Sequence, residues 1–416
     1  MSLQKRDRTQ AAVAAMLRGF TCDGRRAGRI RTSNTRAGDD GTEILRLASP
    51  IPGEESLLLD LSDEFIGPAA RSWNAYVEQH GTLPTQVAVD DVGLFSVTPP
   101  VSPAVTDEKH RGGEQAVAAE RDVTMRGRNI VITGGAQGFG FALAEELAAG
   151  GATVVLADLN REGAEESARD LNARFGEGSS IAAQVNVADD NSVAALIDDL
   201  VARLGGFDVF ISNAGVLRAG SVLSLSVQDF SLVTDVNYSA FFVCTRHAAS
   251  VMRLQDAGYR ARIAAAAATG APGGTAALPL HYVSDIIQIN SKSGFKGSNR
   301  NGAYAGSKFG GIGLVQSFAL ELIEYGIKVN AICPGNFFDG PLWSDPDRGL
   351  FVQYLNAGKV PGATSIADVK RHYEKQVPMG RGCTGADVAR AVYYVVDQVY
   401  ETGQAIPVTG GQEMLR

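Results

Sequence analysis

The sequence predicts an α/β protein built on a doubly wound parallel sheet of about seven strands, preceded by a small N-terminal accessory segment. Three observations carry that prediction. From residue 129 onwards short apolar runs alternate with amphipathic helical stretches. A glycine-rich turn at residues 134–140 joins the first of those runs to a helical pattern. A hydrophobic content of 45% with 48 glycines in 416 residues suits a large core linked by many tight turns.

Taken in order, residues 1–40 read as a basic, mobile arm, since eight arginines and only two acids occur up to residue 38. The same composition resembles an organellar transit peptide. Residues 41–124 read as a small accessory domain and linker. Apolar stretches such as Leu57-Leu58-Leu59 and Val87-Ala88-Val89 give it a core. Pro99, Pro100, Pro103, Gly112 and Gly113 mark the linker and place the boundary near residue 125. Strands are then expected at 129–133, 153–158, 181–185, 208–212, 285–290, 327–332 and 405–408. Helices are expected at 139–150, 161–174, 191–204, 227–254, 303–325 and 386–399. The alanine- and glycine-rich stretch 264–279, which ends in Pro279, breaks this rhythm and reads as a surface insertion.

Composition excludes several classes of function. A net charge of −8 lacks the basic surface that phosphate-backbone contacts need, so no nucleic-acid partner is expected. The cysteines Cys22, Cys244, Cys333 and Cys383 stand far apart, and the five histidines are scattered. Neither a disulfide framework nor a metal site is expected. No apolar run approaches the roughly 20 residues that span a bilayer, and no convincing signal peptide begins the chain. A reducing cytoplasm, with no membrane partner, is the expected setting.

The strand at 129–133 runs into Gly134-Gly135-Ala136-Gln137-Gly138-Phe139-Gly140 and then into a helix. Glycines there let backbone N–H groups and a helix N-terminus approach a pyrophosphate with no Cβ in the way. About twenty residues on, Asp158 closes the second strand, where a carboxylate can accept from a ribose hydroxyl. Its charge would repel a 2′-phosphate, which favours NAD over NADP, although Arg161 lies near in sequence. Asn213-Ala214-Gly215 follows the fourth strand and places a small-residue turn on the same sheet edge.

Ser291, Tyr304 and Lys308 carry the chemistry. Tyrosine, with an unperturbed pKa of about 10, is a poor base near neutrality unless a cation stabilises its phenolate. Lys308, four residues on, shares its helix face and can supply that charge. Ser291, at the end of an apolar run, can hydrogen-bond the substrate oxygen. A Tyr-x-x-x-Lys pair alone is a common solvated helix face. Its company, a cofactor turn and a serine thirteen residues earlier, is what gives it weight.

From about residue 125 to its end the chain resembles the short-chain dehydrogenase/reductase family. The family's glycine motif stands here as Thr133, Gly134, Gly138 and Gly140, and its Asn-Ala-Gly as Asn213, Ala214 and Gly215. The resemblance implies a Rossmann fold and a catalytic tetrad of Asn237, Ser291, Tyr304 and Lys308. It implies that Asn237 supports a proton-relay water and that Lys308 binds the nicotinamide ribose as well as lowering the Tyr304 pKa. It implies cofactor contacts at Gln137, Phe139, Asn186, Val187, Pro334, Gly335 and Phe337. Asn186 stands where many relatives carry an adenine-proximal aspartate. A homotetramer is implied too, with the helices near 227–254 and 303–325 between subunits.

Narrower likeness lies in stretches such as 286–294, 308–311, 377–383 and 402–411, which are similar to family members that oxidise hexitol phosphates. Those imply a polyol or sugar phosphate substrate, for which Lys292, Arg300 and Arg381 are candidate cations beside Ser291. The aromatics between Asn336 and Met379 fall where the family places its substrate lid. Residues 64–98 resemble the tail of a class II aldolase domain, but without a metal-binding histidine cluster no aldolase activity is expected. Two other functions stay open: a dehydrogenase of an unphosphorylated polyol or ketone, and an NAD-sensing regulatory module.

Overall fold

The computed structural model describes residues 3–22, 27–33, 44–50, 61–100, 124–269, 284–347, 349–356, 358 and 360–414. The N-terminal part holds α1 (Leu3–Phe20), β1 (Arg29–Ser33), β2 (Leu45–Leu47), α2 (Asp63–His80), β3 (Gln86–Val89) and β4 (Gly93–Thr98). Its four strands form a sheet in the order β1-β4-β3-β2. β4 runs antiparallel to both neighbours, with Val87 opposite Phe95, while β2 and β3 are parallel.

The described residues of this part pack into the larger unit. A mobile arm is expected over residues 1–40, yet Ala11 to Leu17 and Phe20 of α1 are buried. The reason is apolar content: Ala11-Ala12-Val13-Ala14-Ala15-Met16-Leu17 cannot stay in water beside an apolar helix face. Those residues, Trp73 of α2 and Phe95 of β4 share one continuous core with Phe207, Phe210 and Phe241 of the larger unit. A buried ion pair fixes the junction. Arg18 donates to the Asp208 carboxylate at 2.7 Å and to the Gly28 carbonyl at 2.6 Å, and Asp208 also accepts from the Asn129 N–H at 2.7 Å.

The larger unit follows as β5 (Asn129–Thr133), α3 (Gly138–Ala149), β6 (Thr153–Asp158), α4 (Arg161–Phe175), β7 (Ser180–Gln184), α5 (Asp190–Leu204) and β8 (Val209–Ser212). Next come α6 (Val227–Thr234), α7 (Ala240–Thr269), β9 (Ser284–Ile289), α8 (Gly302–Leu322) and β10 (Ile327–Pro334). The short helices α9 (Pro341–Ser344), α10 (Leu350–Asn356) and α11 (Ile366–Glu374) precede α12 (Gly385–Asp397) and β11 (Ala405–Val408). All seven strands are parallel, in the order β11-β10-β9-β8-β5-β6-β7.

Side-chain alternation explains the two helical layers. Ile130 and Ile132 of β5 join the core under α3, α4 and α12, while Val131 joins the core under α5, α7 and α8. Val154 and Leu156 of β6 divide from Val155 and Ala157 in the same way. The strand order reverses between β5 and β8. The turns after those two strands therefore flank the crevice where doubly wound sheets bind ligands.

Two expected elements differ. The stretch 227–254 is not one helix: a π-helical turn, Asp235–Ser239, separates α6 from α7. Residues 264–269 are not an insertion but the last turns of the 30-residue α7. Alanine is the best helix former, and Ala257, Ala261 and Ala265 recur at helical spacing against the core. The rest of that stretch, 270–279, lies outside the described residues.

Candidate active site

The glycine turn is shaped by close approach. A Cβ on Gly140 would lie 2.0 Å from the Gly134 carbonyl oxygen, so no other residue fits there. Gly138 sits at φ +60° with nothing within 4 Å of where a Cβ would be, which leaves the start of α3 open to a ligand. Gln137 occupies the N-cap without a side-chain bond, so the first N–H groups of α3 are free of that cap. The Asp158 carboxylate, at the end of β6, accepts from the N–H of Ala136 at 3.0 Å and of Asn160 at 2.9 Å. Those bonds fix its orientation beside the turn.

Asn213 ties the second turn to the first. Its side-chain amide donates to the carbonyls of Thr133 and Gly134 at 2.9 and 3.1 Å. The Thr133 hydroxyl accepts from the N–H of Asn213 and Ala214. The walls of the crevice are thus hydrogen-bonded to each other. These features fit a dinucleotide: an open helix N-terminus for the pyrophosphate and an oriented carboxylate for a ribose.

Asn237 is aimed inward by the π-helical turn, a distortion common at functional sites. Its side chain accepts from the Val216 N–H at 2.8 Å and donates to the Val216 carbonyl at 2.9 Å and to the Ser307 hydroxyl at 3.2 Å. Ser291 begins the short 3₁₀ turn Lys292–Gly294 after β9, where its hydroxyl accepts from the Ser293 N–H at 3.1 Å. The same hydroxyl favours the ionised form of Tyr304, which stands in the first turn of α8.

Lys308 is 5% exposed. Its ammonium donates to the Ile289 carbonyl at 3.1 Å and lies 5.6 Å from the Tyr304 ring centroid. Asn290 holds that turn of α8 in place, donating to the Lys308 carbonyl at 3.0 Å and to Gln288 at 2.7 Å. Asn237, Ser291, Tyr304 and Lys308 thus lie together at this end of the sheet.

Burial pushes the Tyr304 pKa above the ordinary tyrosine range, with the Ser291 hydroxyl partly offsetting it. Burial also pulls Lys308 down to about 8, so the cation itself is held weakly. Both shifts have the same cause, a dry site that disfavours any isolated charge.

Other predicted residues fare differently. Pro334 ends β10, and the Gly335 N–H donates to the Val408 carbonyl at 2.9 Å. Phe337 stacks on Phe139, with ring centroids 4.4 Å apart and planes 20° from parallel. Asn186, expected to offer an acceptor to adenine, uses its side-chain oxygen for the Ala188 N–H at 3.1 Å, and Val187 is buried. Lys292 is half-buried, and burial lowers its pKa against the pull of Glu413. Arg300 is exposed at φ +56° just before α8. Arg381 is committed elsewhere, held by both oxygens of Asp387 at 2.6 and 2.9 Å.

Two neighbours were missed by sequence reasoning. Ser307, immediately before Lys308, anchors Asn237. Cys333 is buried beside Ser291, Tyr304 and Lys308, and burial pushes its thiol up to about 12, so it is a neutral packing group. Position next to Lys308 and Pro334 was the only available signal. Among the described residues no three His, Cys, Asp or Glu side chains converge as metal ligands.

Such a crevice and such a serine-tyrosine-lysine set define an oxidoreductase working with a nicotinamide cofactor, and the chain belongs to the short-chain dehydrogenase family, whose model matches residues 128–277 and 275–342. It is 33% identical to sorbitol-6-phosphate 2-dehydrogenase of Escherichia coli over 287 residues, covering 68% of this chain and 98% of that protein. Among solved structures it is similar to sorbitol-6-phosphate 2-dehydrogenase from Erwinia amylovora, at 34% identity and a TM-score of 0.57. That match covers 69% of this chain and all of the other. An actinorhodin polyketide ketoreductase solved with NADPH shares the fold at 24% identity and a TM-score of 0.56, covering 68% of this chain and 97% of its own.

Proposed function

We propose that this protein is an NAD-dependent dehydrogenase that oxidises a secondary alcohol of a polyol phosphate resembling sorbitol 6-phosphate to the ketose phosphate. The observation that carries the chemistry is the buried Lys308 ammonium 5.6 Å from the Tyr304 ring, gathered with Asn237 beside Gly215 of the second crevice turn. In this reading Ser291 orients the substrate hydroxyl and Tyr304, as phenolate, takes its proton. Lys308 supports the phenolate and a cofactor ribose, and Asn237 holds the water through which the proton leaves. The nicotinamide, when bound, accepts the hydride. Gly134, Gln137, Gly138, Phe139 and Gly140 would hold the pyrophosphate, Asp158 the adenosine ribose, Asn186 and Val187 the adenine side, and Asn213, Ala214, Gly215, Pro334, Gly335 and Phe337 the nicotinamide half.

The preference for NAD rests on Asp158, whose oriented charge opposes a 2′-phosphate. The substrate class rests on the likeness to sorbitol-6-phosphate 2-dehydrogenases and on Lys292, a half-buried cation directly after Ser291. Arg300 is a second candidate; Arg381 would first have to leave Asp387. We also propose a homo-oligomer, a tetramer by family resemblance, acting in the cytoplasm. Phe230, Phe242, Phe309, Leu320 and Ile323 leave apolar surface exposed on and beside α6, α7 and α8.

Following reduced-cofactor absorbance with NAD or NADP against free and phosphorylated polyols tests all of this. Turnover should be fastest with NAD and a hexitol phosphate, and Lys292→Ala should erode the preference for the phosphorylated substrate. Faster turnover of free polyols or ketones would favour the alternative dehydrogenase. Binding of NAD without turnover of any substrate would favour a sensor.

A further inference from the structure

Between Asn336 and Cys383 the chain leaves the sheet and returns, and its two feet are joined: the Cys383 N–H donates to the Asn336 carbonyl at 2.8 Å. The excursion has its own core. Phe338, Trp343, Phe351, Val360, Val369 and Val377 are buried against one another, with Tyr354 and Tyr373 packed on them. Trp343 contacts four aromatic rings at centroid distances of 5.0 to 6.0 Å. Lys370 of α11 pairs with Asp339 at 2.7 Å, which ties the far helix to the first foot. A segment with closed feet and an internal core moves as one body rather than as a loose loop.

Its first foot also reaches across the crevice. Phe337 stacks on Phe139, which belongs to the first turn of α3 at the open glycine turn. Gly340 makes room for that ring, since a Cβ there would lie 2.5 Å from Phe337. A ligand anion held on the first N–H groups of α3 would fix that turn and therefore the Phe139 ring.

We propose that the Phe139–Phe337 stack is a positioning contact that couples cofactor occupancy of the glycine turn to the placement of the 337–380 segment as a unit. The inference rests on the reading of residues 134–140 as a cofactor cradle.

Hydrogen exchange of the full chain, read by mass spectrometry with and without saturating NAD, tests the coupling. In the parent protein NAD should slow exchange across 138–149 and, in the same titration, across 341–374, the latter by about threefold to tenfold, the range an aromatic pair carries. Phe139→Leu should keep the first effect and lose the second, and Phe139→Tyr should restore it. Equal protection of 341–374 in Phe139→Leu would overturn the coupling, as would no response of that segment in the parent. If unliganded Phe139→Leu already exchanges freely there, as a Trp343→Ala control should, the stack is merely structural and the proposal falls. Absence of protection at 138–149 with both NAD and NADP would overturn the cradle reading itself, and the coupling with it.

Discussion

At the scale of single residues, Lys308 sets a trade between stability and chemistry. An ammonium 5% exposed, with burial pulling its pKa to about 8 from 10.5, is a charge that the fold holds at a cost. Between those values the unfolded chain binds more protons than the folded one, so stability from this group rises with pH across that window. Below about pH 8 the penalty is present in full. Lys308→Met should therefore stabilise the protein at pH 7 by on the order of 2 kcal/mol and abolish turnover. The gap should close as the pH approaches 10. Urea unfolding at several pH values checks this; a variant less stable than the parent at pH 7 contradicts it. Ser291, Tyr304 and Lys308 were legible in the sequence because spacing along one strand end and one helix turn encodes their convergence. The sign of the Tyr304 shift was not, because desolvation depends on everything packed around the ring, including Cys333.

At the scale of elements, α1 shows what periodicity leaves out. An alanine-rich apolar stretch with basic flanks looks like an arm until a partner is known, and its partners, α5 and α7, begin only at Asp190 and Ala240. Arg18 makes the dependence concrete, because its charge answers that of Asp208 with both side chains at or below 1% exposure. Removing one partner of such a pair typically costs about 3–5 kcal/mol. Arg18→Met should be destabilised by that amount, and adding Asp208→Asn should recover most of the loss while keeping an acceptor for Asn129. Denaturant midpoints give the answer; a single variant within about 0.5 kcal/mol of the parent would mean that the junction does not depend on the pair. The strand-turn-helix at 129–149 was legible because its glycines and apolar run are local. The π-helical turn that aims Asn237 was not, since a one-residue widening of a helix leaves no compositional trace.

For the whole molecule, the two sheets share one core through α7, so the described residues of the N-terminal part pack as part of the dehydrogenase unit rather than as an appendage. Oligomerisation is the matching question on the other side. Leu320 is 83% exposed on α8, where the proposed oligomer would bury it. Leu320→Glu should shift the sedimentation profile to smaller species without loss of secondary structure. An unchanged profile would place the interface elsewhere. The seven parallel strands were legible from the alternation of runs; the four-strand N-terminal sheet was not, because short strands with antiparallel partners carry weak signals. The most direct test of the account is a single substitution, Tyr304→Phe, assayed for cofactor binding, thermal stability and turnover together. It should bind NAD within about threefold of the parent, melt at a similar temperature and lose turnover by about a thousandfold. Turnover within about tenfold of the parent would show that another group takes the proton.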